Sequence, residues 1–237
     1  TPARAAAVAK VSASRTILPV DTGLHSCPHC DADLWSPLAC EECGALLEST
    51  DKGTPFVIFG LERAWDIDRK DLRRRLLRLQ RLVHPDHAGA TDQAQEAAAT
   101  LNHAHEVLAD PSLRANLLLR LLGGPDESAE RKMPQDFLME VLEWNETLDE
   151  ITEDEGSEPA SREARLIPLQ DELLQRREDL LVEVGAALMP LPEPKSESLA
   201  LLRRRLNAAR YLARTLWRIR EMRLTEQGLS GATKPPL

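Results

Sequence analysis

The sequence predicts a mainly all-α protein made of a small N-terminal cysteine-rich module, a helical hairpin and a C-terminal three-helix bundle. Three observations lead there. Leucine, alanine, arginine and glutamate dominate, while 237 residues hold only four tryptophans, three phenylalanines and one tyrosine, a helix-forming composition. Apolar residues recur on a 3.6-residue period from residue 69 onward, in stretches broken by proline and glycine. All four cysteines fall between Cys27 and Cys43. No apolar run approaches the ~20 residues needed to span a bilayer, so no membrane partner is expected. The net charge of −9 argues against nucleic acid as the main partner.

Residues 1–20 hold Arg4, Lys10 and Arg15, several alanines and hydroxyl residues, and no acid. This bias fits either an organellar transit peptide or a disordered leader-like tail. It leads to an expected location in the mitochondrial matrix, with the cytoplasm as the alternative.

Residues 21–54 form the second unit. Cys27-Pro28-His29-Cys30 and Cys40-Glu41-Glu42-Cys43 give C-x2-C-x9-C-x2-C. Each pair can close a knuckle that turns two thiolates toward one ion, and two knuckles complete a tetrahedral S4 site. The expected cofactor is one structural zinc ion on Cys27, Cys30, Cys40 and Cys43. Gly44, directly after the second pair, permits a positive φ. So short a segment with few large side chains needs such a staple. Two disulfides or an iron–sulfur cluster are the alternatives. Four sulfur ligands leave no open coordination position, and His25 and His29 are surplus to the set.

Residues 55–125 form the third unit. A short apolar run, 56–61, precedes a segment in which Leu72, Leu76, Leu79 and Val83 recur at i, i+4, i+7 and i+11. Seven basic residues between Arg69 and Arg81 surround this stripe, against the single acid Asp71. Asp68 is placed to cap the helix and Asp71 to lie near its positive end. Pro85 must end it. Asp92 with Gln95 reads as a capping box for a second helix, whose stripe is Ala94, Ala97, Leu101, Ala104 and Leu108. Its small residues allow close packing as an antiparallel hairpin, with His84-Pro85-Asp86 exposed at the tip. The basic face is either a docking surface for an acidic partner or an ordinary solvated face.

His-Pro-Asp between a basic and an alanine-rich helix resembles the J-domain, the module that stimulates ATP hydrolysis by DnaK-type chaperones. Leu101-Asn102-His103-Ala104 through Leu108-Ala109-Asp110-Pro111 is similar to that family's N-x-A-x-x-x-L-x-D-P run. Two residues depart from it: His87 replaces a common lysine, and His105 stands where an aromatic is usual. The resemblance implies a chaperone-binding set of His84, Pro85, Asp86, Arg74, Arg75 and Arg78.

Residues 126–237 form the last unit, after a connecting helix over 111–122 stopped by Gly123-Gly124-Pro125. Helices are predicted over about 135–153, 161–188 and 196–225, with Pro168 marking a kink or a late start in the second. Phe137-Leu138-Met139-Glu140-Val141-Leu142-Glu143 with Leu148-Asp149-Glu150 resembles the FLMEQLE…ELDE run of HscB, the iron–sulfur co-chaperone also called Jac. The connector and the final helix are similar to that family too, so the resemblance covers 27 to about 225. It implies a non-enzymatic co-chaperone in iron–sulfur cluster assembly. Its bundle would bind an IscU-type scaffold through Leu138, Met139, Leu142, Glu143 and Tyr211, although Leu138 and Leu142 have the spacing of core residues. Self-association is a further expectation. A general J-domain co-chaperone with another client, and a zinc-ribbon nucleic-acid adaptor, are the competing readings; the seven acids against one base in 21–54 disfavour the adaptor.

Overall fold

The structure, a computed structural model, describes residues 26–48, 53–84, 89, 91–154 and 158–226. The expected leader and residues Pro85 and Asp86 lie outside them. Among the described residues there are seven helices and no extended strand: α1 (Pro55–Ile58), α2 (Arg69–Val83), α3 (Asp92–Ala109), α4 (Pro111–Leu121), α5 (Gln135–Glu153), α6 (Pro159–Ala187) and α7 (Ser198–Glu226).

Helix α2 begins where Asp68 Oδ1 accepts the amides of Lys70 at 2.7 Å and Asp71 at 3.2 Å. The start of α3 corrects the expected capping box by one residue: Thr91 is the cap, its hydroxyl accepting the Ala94 amide at 3.2 Å. A threonine hydroxyl reaches the N3 amide, so Asp92 becomes the first helical residue. Both expected stripes are buried and the two helices pack on each other. Asp110 caps α4 through the Leu113 amide at 2.9 Å, and Pro111 occupies the first turn, where its missing N–H costs nothing.

Helices α5 and α7 match their predicted limits closely. Helix α6 instead starts at Pro159 and carries Pro168 in its interior. Proline withdraws the N–H that the Ala164 carbonyl would accept, but the flanking Leu166 and Leu169 are buried in the bundle core. Their burial, at roughly 1.5–3 kcal/mol each, offsets a penalty of about 3 kcal/mol.

Two cores organise the chain. The distal one joins Phe137, Trp144, Leu148 and Ile151 of α5 to Leu166, Leu173 and Leu180 of α6 and Leu212 and Ile219 of α7. The proximal one contains the hairpin stripes, but also Leu38 of the cysteine module and Val184, Leu188, Leu199, Leu202 and Leu206 from α6 and α7. The near ends of the last two helices therefore complete the hairpin's core. Gly185 marks the junction: a Cβ there would meet Trp65 Nε1 at 2.5 Å. Arg203 ties the same seam, donating to Asn116 Oδ1 at 2.8 Å and the Pro125 carbonyl at 3.1 Å.

Candidate functional site

The cysteine module is built from two knuckles with the same hydrogen-bond pattern. The Asp31 amide donates to the Cys27 carbonyl at 2.9 Å, and the Gly44 amide to the Cys40 carbonyl at 3.0 Å. The return bonds run from Cys27 N to Ala32 O and from Cys40 N to Ala45 O. Asp31 and Gly44 occupy equivalent places and both have positive φ, 60° and 73°, a conformation open to Gly and tolerated by Asp.

The geometry tests the metal expectation. All four Sγ atoms lie within 4.8 Å of one another, with Cys27–Cys43 at 3.7 Å and Cys30–Cys40 at 3.6 Å. A tetrahedral ion with 2.3 Å metal–sulfur bonds spaces its sulfurs about 3.8 Å apart, whereas a disulfide needs about 2.05 Å. The cysteines are free, and the set fits one tetrahedral metal ion. Backbone amides of Cys43 and Glu42 pull the Cys40 thiol down to about 7 against the cost of burial. The Ala32 amide pulls Cys30 down too, but burial and the neighbouring thiols outweigh it and push Cys30 up to about 12. Thiols this crowded resist ionising together, and a bound cation removes that conflict.

The module rests on α2, a contact the sequence did not announce. Trp35, from the loop between the knuckles, lies under the guanidinium groups of Arg75 and Arg78, 5.8 and 5.6 Å from its ring centroid. Its Nε1 donates to Glu41 Oε2 at 3.0 Å, and Arg78 Nε donates to Glu41 Oε1 at 2.7 Å. Glu41 sits inside the second knuckle, between Cys40 and Cys43, so the cysteine module reaches the basic helix through one acidic side chain. A tryptophan between two C-x2-C pairs was the only sequence signal for this contact. Gly60, at φ +57°, accommodates the approach: a Cβ there would lie 2.6 Å from the Trp35 carbonyl.

This corrects one expected docking residue. Arg75 is buried: Nη1 donates to the carbonyls of Phe59 at 2.9 Å and Gly60 at 3.3 Å, and Nε to Asp71 at 2.8 Å. Its position, three after Leu72 and four before Leu79, puts it on the stripe and not on the solvent face. Arg74, with a side chain 73% exposed and paired to Asp71 at 2.7 Å, and Arg78, held by Glu41, stay on the surface. His84 is exposed and extended at the end of α2; the placement of Pro85 and Asp86 lies outside the described residues. His105 fills the expected aromatic position as a ring, 6.3 Å from Phe59. Burial, then the charge of Arg73, holds its pKa below the usual histidine value.

On α5, Leu138, Met139 and Leu142 are 43, 63 and 56% exposed, and Glu143 is exposed beside them. Core positions are taken by Phe137, Trp144, Leu148 and Ile151, one step round the helix. Tyr211 is half-buried, edge-on to Phe137, with its hydroxyl donating to Asn145 Oδ1 of α5 at 3.0 Å. The structure thus brings Tyr211 to the rim of the exposed α5 strip.

Comparison with known proteins agrees with this architecture. Residues 133–220 match the family model described as the HSCB C-terminal oligomerisation domain. The co-chaperone protein HscB homolog of Mannheimia succiniciproducens is 32% identical over 141 residues, covering 56% of this chain and 78% of that protein. That of Haemophilus influenzae is 35% identical over 141 residues with the same coverage. The crystal structure of human co-chaperone protein HscB superposes with a TM-score of 0.62 at 23% identity, covering 84% of this chain and 99% of that one. The chaperone HscB from Vibrio cholerae gives 0.56 at 25%, covering 75% and 100%. With four-fifths of a curated relative covered at such identity, this chain belongs to the HscB co-chaperone family.

Proposed function

We propose that this protein holds an IscU-type iron–sulfur scaffold on its bundle and presents it to a DnaK-type chaperone whose ATPase it stimulates. Family membership carries the coarser part, a co-chaperone role in iron–sulfur cluster assembly. The observation that supports the finer part is the pairing of two exposed features on one chain. One is His84 at the end of a basic helix; the other is the apolar strip Leu138, Met139 and Leu142, bordered by Glu143 and Tyr211.

Each feature has the chemistry its role requires. Arg74 and Arg78 present guanidinium groups that attract an acidic chaperone surface and orient it as it arrives. The His-Pro-Asp tripeptide then supplies recognition contacts that favour the chaperone's hydrolysis-competent conformation, a population shift requiring no catalytic group on this chain. Apolar side chains that are costly to leave in water, including an adaptable methionine, suit a scaffold surface. Zinc is the ion proposed for the four thiolates, because four sulfur donors in a closed tetrahedron suit a structural zinc site. The two curated sequence relatives named above are bacterial, which favours the cytoplasm over the expected mitochondrial matrix. A residues 21–54, 55–125 and 126–237 division remains the proposed functional partition.

The α5 strip also suits a second copy of this chain, a reading favoured by the word oligomerisation in the matched family's description. Sedimentation at several concentrations separates the two.

The test uses the zinc-loaded protein, a DnaK-type chaperone and an IscU-type scaffold. Asp86→Asn should abolish ATPase stimulation and leave scaffold affinity intact. Met139→Ala with Leu142→Ala should weaken the scaffold by roughly tenfold or more, about 1.4 kcal/mol, and leave scaffold-free stimulation unchanged. A scaffold affinity indifferent to the α5 changes points to a general co-chaperone with another client.

A further inference from the structure

Beyond Tyr211 the molecular surface opens into a groove of about 560 Å³ between the segment preceding α5 and one face of α7. Its charge is one-sided. Arg131, Arg210 and Arg214 line it against a single acid, Glu127, which pairs with Arg210. Arg131 and Arg214 are exposed and have no ion-pair partner among the described residues. Three guanidinium groups share the space of one carboxylate.

Two further polar atoms, on residues that line the groove, are left without partners. Arg210 Nε, a donor, and Asn207 Oδ1, an acceptor, are both buried and make no hydrogen bond. The amide nitrogen of Asn207 is occupied by the carbonyls of Glu130 and Lys132, at 2.8 and 2.9 Å, so its orientation is fixed by the fold and its oxygen is left over. Buried polar groups without partners cost free energy. Burial, then the neighbouring Arg214, lowers the pKa of Arg210.

The groove is continuous with the proposed scaffold face. Tyr211 lines it, and its hydroxyl bonds Asn145 on α5. We propose that this groove takes a carboxylate-bearing segment of the scaffold, extending the docking face from the apolar strip of α5 across Tyr211 to Arg131, Arg210 and Arg214. Arginine forks grip carboxylates in a bidentate way, so the groove sets the register of a partner whose apolar patch alone would slide. This inference rests on the scaffold-binding reading given above.

The experiment measures scaffold affinity by calorimetry at low and at high salt, with circular dichroism confirming that each variant folds. Arg131→Glu with Arg214→Glu should raise Kd about tenfold or more at low salt, with the difference shrinking at high salt as screening removes the Coulomb attraction. Arg131→Lys with Arg214→Lys, which keeps the charge but loses the fork, should keep the salt dependence while recovering only part of the affinity, and Leu142→Ala should weaken binding at both salts. If the double glutamate variant binds and responds to salt as the parent does while Leu142→Ala weakens binding, the groove inference falls alone. An equal loss at both salts rejects carboxylate capture. A parent protein that binds no scaffold at either salt takes down both this inference and the scaffold reading.

Discussion

Arg75 was expected on the chaperone-facing side of α2, and the structure makes it a structural post instead. The decisive perturbation is Arg75→Ala set against Arg74→Ala. The Arg75 side chain is 8% exposed and donates to Asp71 and to two backbone carbonyls at the end of α1. Hydrogen bonds to charged groups contribute about 1.5–3 kcal/mol each. Removing a buried charged partner costs about 3–5 kcal/mol; Asp71 keeps Arg74, but the carbonyls of Phe59 and Gly60 lose this donor. Arg74, 73% exposed, belongs to the class of surface ion pairs that contribute about 0–1 kcal/mol. For a chain of this length each kcal/mol moves Tm by about 2–4 °C, so Arg75→Ala should melt roughly 6–20 °C lower and Arg74→Ala nearly where the parent does. Thermal melts by circular dichroism read the difference. Arg75→Lys should recover little, since one ammonium cannot span three acceptors in a planar fork. If Arg75→Ala melts with the parent while losing ATPase stimulation as Arg74→Ala does, the buried-post argument is wrong.

Two further outcomes follow from the same corner of the molecule. Metal analysis should return one zinc per chain, and a chelator should collapse hydrogen-exchange protection over 26–48. It should also loosen α1 and the start of α2, because Leu38 and Trp35 pack into that core; protection there that ignores the chelator would sever the proposed link between module and hairpin. Asp71 provides a pH test. Burial raises its pKa, but hydrogen bonds from Arg75 and Arg74 outweigh that and hold it below the usual 3.8. A depressed folded pKa means the stabilisation is present above the ordinary carboxylate value and is lost as pH falls through the lower, folded one. Asp71→Asn should therefore narrow the stability gap to the parent as pH drops below about 4, and a gap that widens on acidification contradicts the pairing.

Local pattern carried the helices, and non-local contact decided what it could not. The stripes Leu72 to Val83 and Ala94 to Leu108 follow from a 3.6-residue period, and both are buried as expected. The same period held the clue to Arg75, which sits at i+3 from Leu72 and i−4 from Leu79; its chemical type masked its position. Leu138 and Leu142 illustrate the converse. Their i, i+4 spacing fits a core stripe equally well, and only the placement of Phe137 and Trp144 one step round the helix turns them outward. The clustering of the four cysteines was readable because two C-x2-C knuckles turn their thiols toward one point. The partnership of Glu41 and Arg78 was not, since nothing local links residues 37 positions apart. Pro168 failed as a boundary signal because buried leucines on either side outweigh its missing N–H.

The shared proximal core changes how the two proposed docking features cooperate. If a loose linker joined hairpin and bundle, the local concentration of scaffold at the chaperone would depend on linker length, falling as the tether grew. Here the connection is tied down along its course. The Lys195 amide donates to the Leu122 carbonyl at 2.8 Å, Arg203 holds Asn116 and Pro125, and Arg204 holds Glu130 at 2.9 Å. Val184, Leu188, Leu199 and Leu202 bury themselves among hairpin residues. Separating the units would expose those four apolar side chains, at roughly 1.5–3 kcal/mol each, before any ion pair is counted. The end of α2 and the α5 strip are therefore held at a fixed separation by packing, and the proposed delivery becomes a matter of geometry: a scaffold seated on α5 would reach the chaperone in one orientation, not as one of many on a flexible tether.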